Sequence, residues 1–243
     1  MGSTYLQLTN KVLRRVNEVE LTETTFTSAR GIQAVCKDAV LDSINEINQQ
    51  RWEWPFYAQE TTQLLTIGEN EYNLPVRFKS ADWESFQIVE NDALQVRSRN
   101  LKQIDRDEWY KFFKPQDDDA DPLGRGVPHF VFLSHGEKFG VTPSPDKAYS
   151  VYFRYYKTPP ILSVQSNICE IPSDYDNVIL AGALKHVNLF KENAQGFQIA
   201  DGTFKKGISD MYNSLVGYTD HIYDNRANYA QIPLIIKAGN YRI

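Results

Sequence analysis

The sequence predicts an α+β protein: a helical bundle built from N- and C-terminal helix pairs, with a central antiparallel β region inserted between them. Near both ends of the chain, apolar residues recur at three- and four-residue steps, which is typical of amphipathic helices, whereas in the middle they alternate. Neither helix pair alone would cover its apolar stripe. The two pairs are therefore expected to pack together, with the β region projecting from them.

The expected domain limits follow these changes of period. They are residues 1–56 for the N-terminal helix pair, 57–160 for the β region with a short helix near 105–114, 161–219 for the C-terminal helix pair and 220–243 for an extended docking arm. No internal repeat is present, which argues against a solenoid.

The N-terminal pair begins with a predicted helix over residues 4–19, whose apolar face is formed by Tyr5, Leu8, Val12, Val16 and Val19. A threonine-rich linker follows, in which Thr27 or Ser28 is expected to cap a second helix over residues 29–50. An aromatic group, Trp52, Trp54 and Phe56, comes next, and Pro55 within it disfavours further helix. Two interpretations of this group stay open: it caps the bundle core, or it contacts a partner.

Strand signals dominate residues 57–104, around Leu65 and Ile67, a turn at 68–72, and the segments 86–89 and 94–97. The segment DRDEWYKFFK, residues 105–114, predicts a short helix held by Trp109, Phe112 and Phe113 and ended by Pro115. Three further strands are predicted between Pro128 and Pro160, with Gly136 reversing the chain between the first two.

The C-terminal pair is introduced by Ser173 and Asp176, whose spacing resembles a capping box, and the first helix is predicted over residues 174–193. Its expected inner face is Val178, Ile179, Gly182, Ala183, Val187 and Phe190. The second helix is predicted over residues 195–216, with an inner face of Phe197, Ala200, Phe204, Ile208, Met211 and Leu215.

Composition limits the chemistry of the chain. Its 243 residues carry a net charge of −5 without a lysine–arginine tract, so any contact with DNA is expected to be loose. Cys36 and Cys169 have no metal or disulfide spacing and are expected to be buried and free. No apolar run reaches the length of a membrane span, and no secretory signal is present, which predicts a protein made and kept in a cytoplasm.

No residue pattern predicts a catalytic or metal site, and no cofactor is expected. Asp117, Asp118, Asp119 and Asp121 lie in a predicted loop but lack the glycine and distal glutamate of a calcium loop, so a solvated loop is favoured. The four histidines lie on different elements, and His186, beside a helix stripe, is expected to be hydrogen-bonded. Paired carboxylates of a glycosidase are decided by spatial separation, so that alternative stays open.

The last segment, residues 220–243, has no stripe that would fold back onto the bundle. We expect it to be a docking arm, whose candidate contact residues are Ile232, Pro233, Leu234, Ile235, Ile236 and Tyr241. The alternative is a tail that packs on its own subunit.

Four segments carry a resemblance to a known family. They are YLQLTNKVLRRVNEVEL, ARGIQAVCKDAVLDSINEINQQRWEWPF, FGVTPSPDKAYSVYFRYYKTPP and IPSDYDNVILAGALKHVNLF. In their order along the chain and their general residue character, they resemble the head-to-tail adaptor (connector) proteins of tailed bacteriophages, in particular the tail-tubular-protein-A type. No single segment is a catalytic signature.

The resemblance implies a structural virion protein of the neck and tail, made in the host cytoplasm. It implies a dodecameric homo-oligomeric ring that binds the portal protein and the next tail component, such as a nozzle or tail tube, and lets double-stranded DNA pass loosely. The docking arm would then bind the portal or a neighbouring copy, and the aspartate loop would face the channel or the tail. Two alternatives stay open, a tail-associated cell-wall hydrolase and a tail assembly chaperone absent from the mature particle.

Overall fold

The computed structural model describes residues 2–50, 53–92, 95–117 and 122–216. Within them the predicted α+β class is confirmed, because four long helices from the two ends of the chain pack around one apolar core and the strands between them form two sheets around another. The long helices are α1 (Tyr5–Arg15), α2 (Ile32–Gln49), α5 (Asp176–Phe190) and α6 (Ala194–Leu215).

Helix α1 starts and stops at local signals. The Thr4 side chain accepts a hydrogen bond from the Gln7 amide at 3.2 Å, and the Gln7 side chain accepts one from the Thr4 amide at 2.9 Å, which completes a capping box. The helix ends at Arg15, and Asn17 follows in the left-handed conformation with φ of 56°. The prediction that Val19 belongs to the buried face is therefore wrong: Val19 lies beyond the helix and is 77% exposed.

Helix α2 begins three residues later than predicted, and neither Thr27 nor Ser28 caps it. Its N-cap is Gly31, at φ of 58°, because the chain turns sharply there. The Ser28 hydroxyl instead donates to the Thr25 carbonyl at 3.2 Å, inside its own turn. The helical period predicts an apolar stripe of Ile32, Val35, Cys36, Ala39, Val40, Ser43 and Ile47 for this helix. It is correct in the helix interior, where all of these except Ile32 and Val35 are buried.

Helices α5 and α6 form an antiparallel pair. A short 3₁₀ turn, Ser173–Tyr175, precedes α5, and the predicted capping box is wrong because the Asp176 carboxylate points into the bundle. Phe190 is also not part of the inner face, since it is 61% exposed at the helix end. Asn193 caps α6 by accepting from the Gly196 amide at 3.0 Å, and the buried face of α6 is Ala200, Phe204, Ile208 and Met211.

The part of the chain that the structure describes contains the strands β1 (Ala58–Leu64), β2 (Glu71–Asn73), β3 (Phe78–Ala81), β4 (Gln87–Asp92), β5 (Gln95–Asn100), β6 (Lys102–Gln103), β7 (Phe130–Leu133), β8 (Lys138–Thr142) and β9 (Ser150–Lys157). One sheet has the order β1-β9-β4-β5, with β3 also paired to β9, and the other has the order β2-β8-β7-β6. The predicted antiparallel pairing holds except for β6 and β7, which run parallel.

The two sheets pack around aromatic side chains. Phe86 stacks on Phe153 at 4.3 Å between ring centroids, and Phe139 meets both rings edge-on. Gly136, at φ of 64°, lies in the turn between β7 and β8 as predicted. The alternation in the sequence thus places one face of each sheet in this core.

Two short helices follow β6. Helix α3 (Arg106–Phe112) begins at Asp105, whose carboxylate accepts from the Arg106 amide at 2.7 Å. The prediction that Pro115 ends the helical segment is wrong, because a further turn, α4 (Lys114–Asp117), contains it. Trp109 is buried against Phe132 at 4.4 Å, whereas Phe112 is 71% exposed and does not hold the helix down.

Candidate docking surfaces

The predicted site residues are widely dispersed, and several belong to the core. Trp54 is 1% exposed and its indole nitrogen donates to the Ile47 carbonyl at 3.0 Å, so the interface interpretation is wrong for this residue. Phe56 stacks on Trp54 at 5.8 Å and is half-buried, which leaves part of its ring open to a partner. Trp52 lies outside the described residues.

The sequence predicted a solvated loop at Asp117, and this prediction is wrong. One carboxylate oxygen accepts from the Trp109 indole at 2.7 Å and the other from the Ser144 amide at 2.9 Å. The side chain therefore ties α4 to α3 and to the segment after β8. Asp118, Asp119 and Asp121 lie outside the described residues, as do Ile232, Pro233, Leu234, Ile235, Ile236 and Tyr241.

One candidate surface lies along α5. Between α1 and α6 a groove of about 540 Å³ runs over Leu180, Ala181 and Leu184, with Val16 on one wall and Ile199 on the other. We call it the α5 groove. It exists because α6 presents small side chains to it, Gly196, Ala200 and Thr203, so that α1 and α6 do not meet above α5. Asn177 and Asn188 lie at its two ends.

A second apolar feature adjoins the groove at the C-terminal end of α5. Leu189 and Phe190 are both more than half exposed there, and Ile199 is 65% exposed on the facing helix. Asn188 lines both the α5 groove and a smaller groove with Leu189 and Phe197, so the two grooves adjoin. We call Leu189, Phe190 and Ile199 the bundle-end patch. Contiguous exposed apolar surface of this kind is typical of contact sites between proteins.

Charged side chains inside the bundle fix the helices that carry this surface. Lys185 of α5 is 8% exposed and donates to both carboxylate oxygens of Glu46 at 2.5 and 2.6 Å. Its ammonium also lies 4.8 Å from the centre of the Phe204 ring, so it joins α5 to α2 and to α6.

His186 departs from its predicted role. Its Nε2 lies 3.4 Å from Glu46 Oε2, but no hydrogen bond to that nitrogen forms within the described chain. The expectation of a hydrogen-bonded histidine is therefore wrong for this atom.

A further charged group lies where α1 meets α5. Asp176 is 6% exposed and accepts from the Ser3 hydroxyl at 2.5 Å and from the Lys11 ammonium. The sequence does not reveal this pair, because Lys11 and Asp176 are 165 residues apart and each has a more ordinary local explanation.

Polar contacts also join the β region to the bundle. Lys79 of β3 donates to the carbonyl oxygens of Asn48 at 2.5 Å and Gln50 at 3.5 Å, at the end of α2, where a cation suits the helix dipole. Burial nonetheless lowers the pKa of Lys79. Glu170 accepts from Arg77 at 3.1 Å and from Lys157 at 2.9 Å. The β region and the bundle are thus held in one orientation.

Several titratable side chains are buried in the apolar core and belong to none of the surfaces described above. Burial raises the pKa of the Cys36 and Cys169 thiols to about 11, and it raises the pKa of the Tyr57 hydroxyl further above its ordinary value of 10.0. Tyr57 Oη has no hydrogen-bond partner within the described residues. These groups stay neutral and act as parts of the core.

Two other kinds of site are absent from the described residues. No three or more histidine, cysteine, aspartate or glutamate side chains in them lie close enough together to hold a metal ion. None of the described helices is both long and apolar enough to span a bilayer.

Comparison with known proteins supplies one match. The family model described as SU10 adaptor protein matches residues 3–228, which include both helix pairs and the β region. No curated protein matches the chain.

Proposed function

The chain belongs to the SU10 adaptor protein family, whose members are bacteriophage head–tail connectors, and we propose that it forms a closed ring between the portal and the next tail component. Membership makes it a structural protein of the virion neck. The finer proposal is a dodecamer of the tail-tubular-protein-A type. In it the helical bundles lie side by side and the β region, residues 57–160, meets the tail.

The observation that carries the ring is the apolar surface on the outside of the bundle. The bundle-end patch and the α5 groove remain open after every described helix has packed, and a lone subunit gains nothing from leaving them in water. The groove and the patch adjoin, and in the proposed ring a neighbouring copy covers them with a different part of its own chain. Contacts between unlike surfaces are head-to-tail, and they close into rings when the rotation allows.

We also propose that the ring encloses a channel through which double-stranded DNA slides, and the charge of the chain supports this. The chain carries a net charge of −5, and its lysines and arginines are dispersed rather than clustered. Affinity for the phosphate backbone grows with the number of neutralised phosphates, so a channel without a cationic tract holds DNA weakly. Asp118, Asp119 and Asp121 would then face the channel or the tail.

In the proposed ring, the docking arm, residues 220–243, binds the portal or a neighbouring copy. A ring that holds against internal DNA pressure needs contacts beyond the bundle walls. Ile232, Pro233, Leu234, Ile235, Ile236 and Tyr241 supply an apolar run for that purpose.

Electron microscopy of purified particles tests the proposal. Antibody-labelled protein should lie at the neck in multiple copies, and cross-linking mass spectrometry should find contacts between copies and with the portal. Absence from finished particles would favour an assembly chaperone instead. Clearing of cell wall by the purified protein in a zymogram would favour a tail-associated hydrolase.

A further inference from the structure

We propose that the α5 groove of each subunit binds the apolar run Ile232, Pro233, Leu234, Ile235 and Ile236 from a neighbouring copy. This inference rests on the proposed ring and names the partner of one of its surfaces. It follows from three properties of the groove: its lining, its size and its position relative to the end of α6.

The lining suits an uncharged apolar segment. Leu180, Ala181 and Leu184 form the floor, and Val16 and Ile199 form the walls. Among the described residues, no carboxylate lines the groove and Arg15 is the one charged side chain that does. The run carries no charge until Lys237, so its five side chains can enter without desolvating an ionised group.

The dimensions also agree. The groove holds about 540 Å³, whereas a cavity of about 150 Å³ is enough to bind one benzene molecule. From Asn177 to Asn188 it follows α5 for about 17 Å, which is the length of five residues of extended chain. The amides of Asn177 and Asn188 at its two ends can hydrogen-bond to the backbone of such a segment.

The position of the α6 end favours a neighbouring copy over the same chain. The Tyr175 and Ser214 hydroxyls lie 2.8 Å apart, so α6 ends beside the start of α5, close to the Asn177 end of the groove. In the same chain, residues directly after Val216 would reach the groove first, and residues 217–231 would have to loop out before the run could enter. Extended, those residues span up to about 50 Å, enough to cross an adjacent bundle made of helices about 10–12 Å wide.

Disulfide trapping in assembled particles tests the inference. Two differently tagged full-length copies are co-expressed during infection, one carrying Leu234→Cys and the other Ile199→Cys, and the purified particles are mildly oxidised. Ile199 is 65% exposed, so its replacement leaves the fold intact. The expected result is a disulfide-linked dimer that contains both tags.

The matched control replaces Lys205, which lies on the same helix but lines a different groove with Glu46. Paired with Leu234→Cys, Lys205→Cys should lose the dimer. Equal dimer yields from the two positions, or no dimer in particles that contain both copies, would overturn the inference. A chain carrying both Leu234→Cys and Ile199→Cys that forms only an internal disulfide would also overturn it, in favour of a tail on its own subunit.

These failures are distinct from failure of the proposed function. Particles with neck rings but no cross-link overturn only the groove assignment. Absence of every tagged copy, including one with the native sequence, from the neck overturns the adaptor ring itself.

Discussion

Asp117 accepts a hydrogen bond from the indole nitrogen of Trp109 at 2.7 Å, although the sequence around Asp117 reads as an acidic surface loop. Its second oxygen accepts from the Ser144 amide at 2.9 Å. A residue chosen from composition as a channel-facing charge is thus a structural link, and only its neighbours in sequence remain candidates for the channel.

The first prediction separates these two roles. Asp117→Ser should lower the free energy of unfolding by about 1–3 kcal/mol, because it leaves the Trp109 and Ser144 donors without their acceptor. The control, Asp118→Ser with Asp119→Ser, should leave it within about 0.5 kcal/mol, as expected of solvated side chains. Urea titrations of the three proteins measure the difference. Equal destabilisation by the control would show that the other aspartates are also structural.

A pair of glycines gives the second prediction. A Cβ at Gly182 would lie 2.2 Å from Ser43 Oγ and 2.8 Å from the Phe204 ring, whereas a Cβ at Gly202 meets nothing within 4 Å. Gly182→Ala should therefore separate α5 from α2 and destabilise the protein, despite the better helix propensity of alanine. Gly202→Ala should stabilise it by up to about 1 kcal/mol. Thermal unfolding checks both, and shifts of the same sign would contradict the packing described.

The pair formed by the buried Lys185 and the partly exposed Glu46 gives the third prediction. Glu46→Gln should lower the free energy of unfolding by about 1–3 kcal/mol, because it leaves the ammonium of Lys185 buried without a countercharge. The double change Glu46→Leu with Lys185→Met should recover most of that loss, since it removes both charges. Denaturant unfolding of the single and double variants measures the coupling. A double variant that is less stable than Glu46→Gln would show that the pair itself contributes net stability.

The fourth prediction concerns alkaline pH. The pKa of the Cys169 thiol is raised from 9.0 to about 11 by burial, so above pH 9 the unfolded chain releases a proton that the folded chain keeps. The thiol therefore leaves the free energy of unfolding unchanged below pH 9 and lowers it as the pH rises towards 11. Cys36 acts in the same direction, and the lowered pKa of Lys79 acts in the opposite one.

Melting temperatures measured from pH 7 to pH 11 check this prediction. Cys169→Ala should lower the melting temperature at pH 7, because it removes buried volume, but it should flatten the decline above pH 9. The comparison uses the slope rather than the absolute value. An unchanged slope would mean that the thiol titrates alike in the folded and unfolded states.

The sequence was sufficient for the elements whose apolar period is long and regular. The interior of α2, the buried face of α6 and the turn at Gly136 were predicted because period and turn chemistry are local properties. The errors lie where a distant contact overrides a local signal. Asp176 has the spacing of a capping residue but pairs with Lys11, and Pro115 was expected to end a helix that Asp117 continues through its contact with Trp109.

The candidate surface was harder to predict than the fold. The α5 groove depends on small residues of α6 lying opposite Val16, which directly follows α1, and no local pattern shows which faces of two helices leave a gap. Trp54 could not be assigned from the sequence either, since an aromatic side chain suits a core as well as an interface. The exposed fraction of the side chain distinguishes the two, and it depends on how the helices of the bundle pack.

The last prediction tests the bundle-end patch as a contact between copies. Replacing Leu189 and Phe190 by Ser should leave the melting temperature of the free protein nearly unchanged, because both side chains are more than half exposed and little packing is lost. It should nonetheless reduce incorporation into the particle neck, since apolar area that a neighbour would cover has been removed. The control is Ile161→Ser, which removes an even more exposed apolar side chain from the segment between β9 and α5. Particle incorporation, measured by quantitative mass spectrometry, should fall for the patch variant and stay normal for the control. If both variants were incorporated normally, the patch would not be part of the ring contact, and the subunits would have to meet through other faces of the bundle.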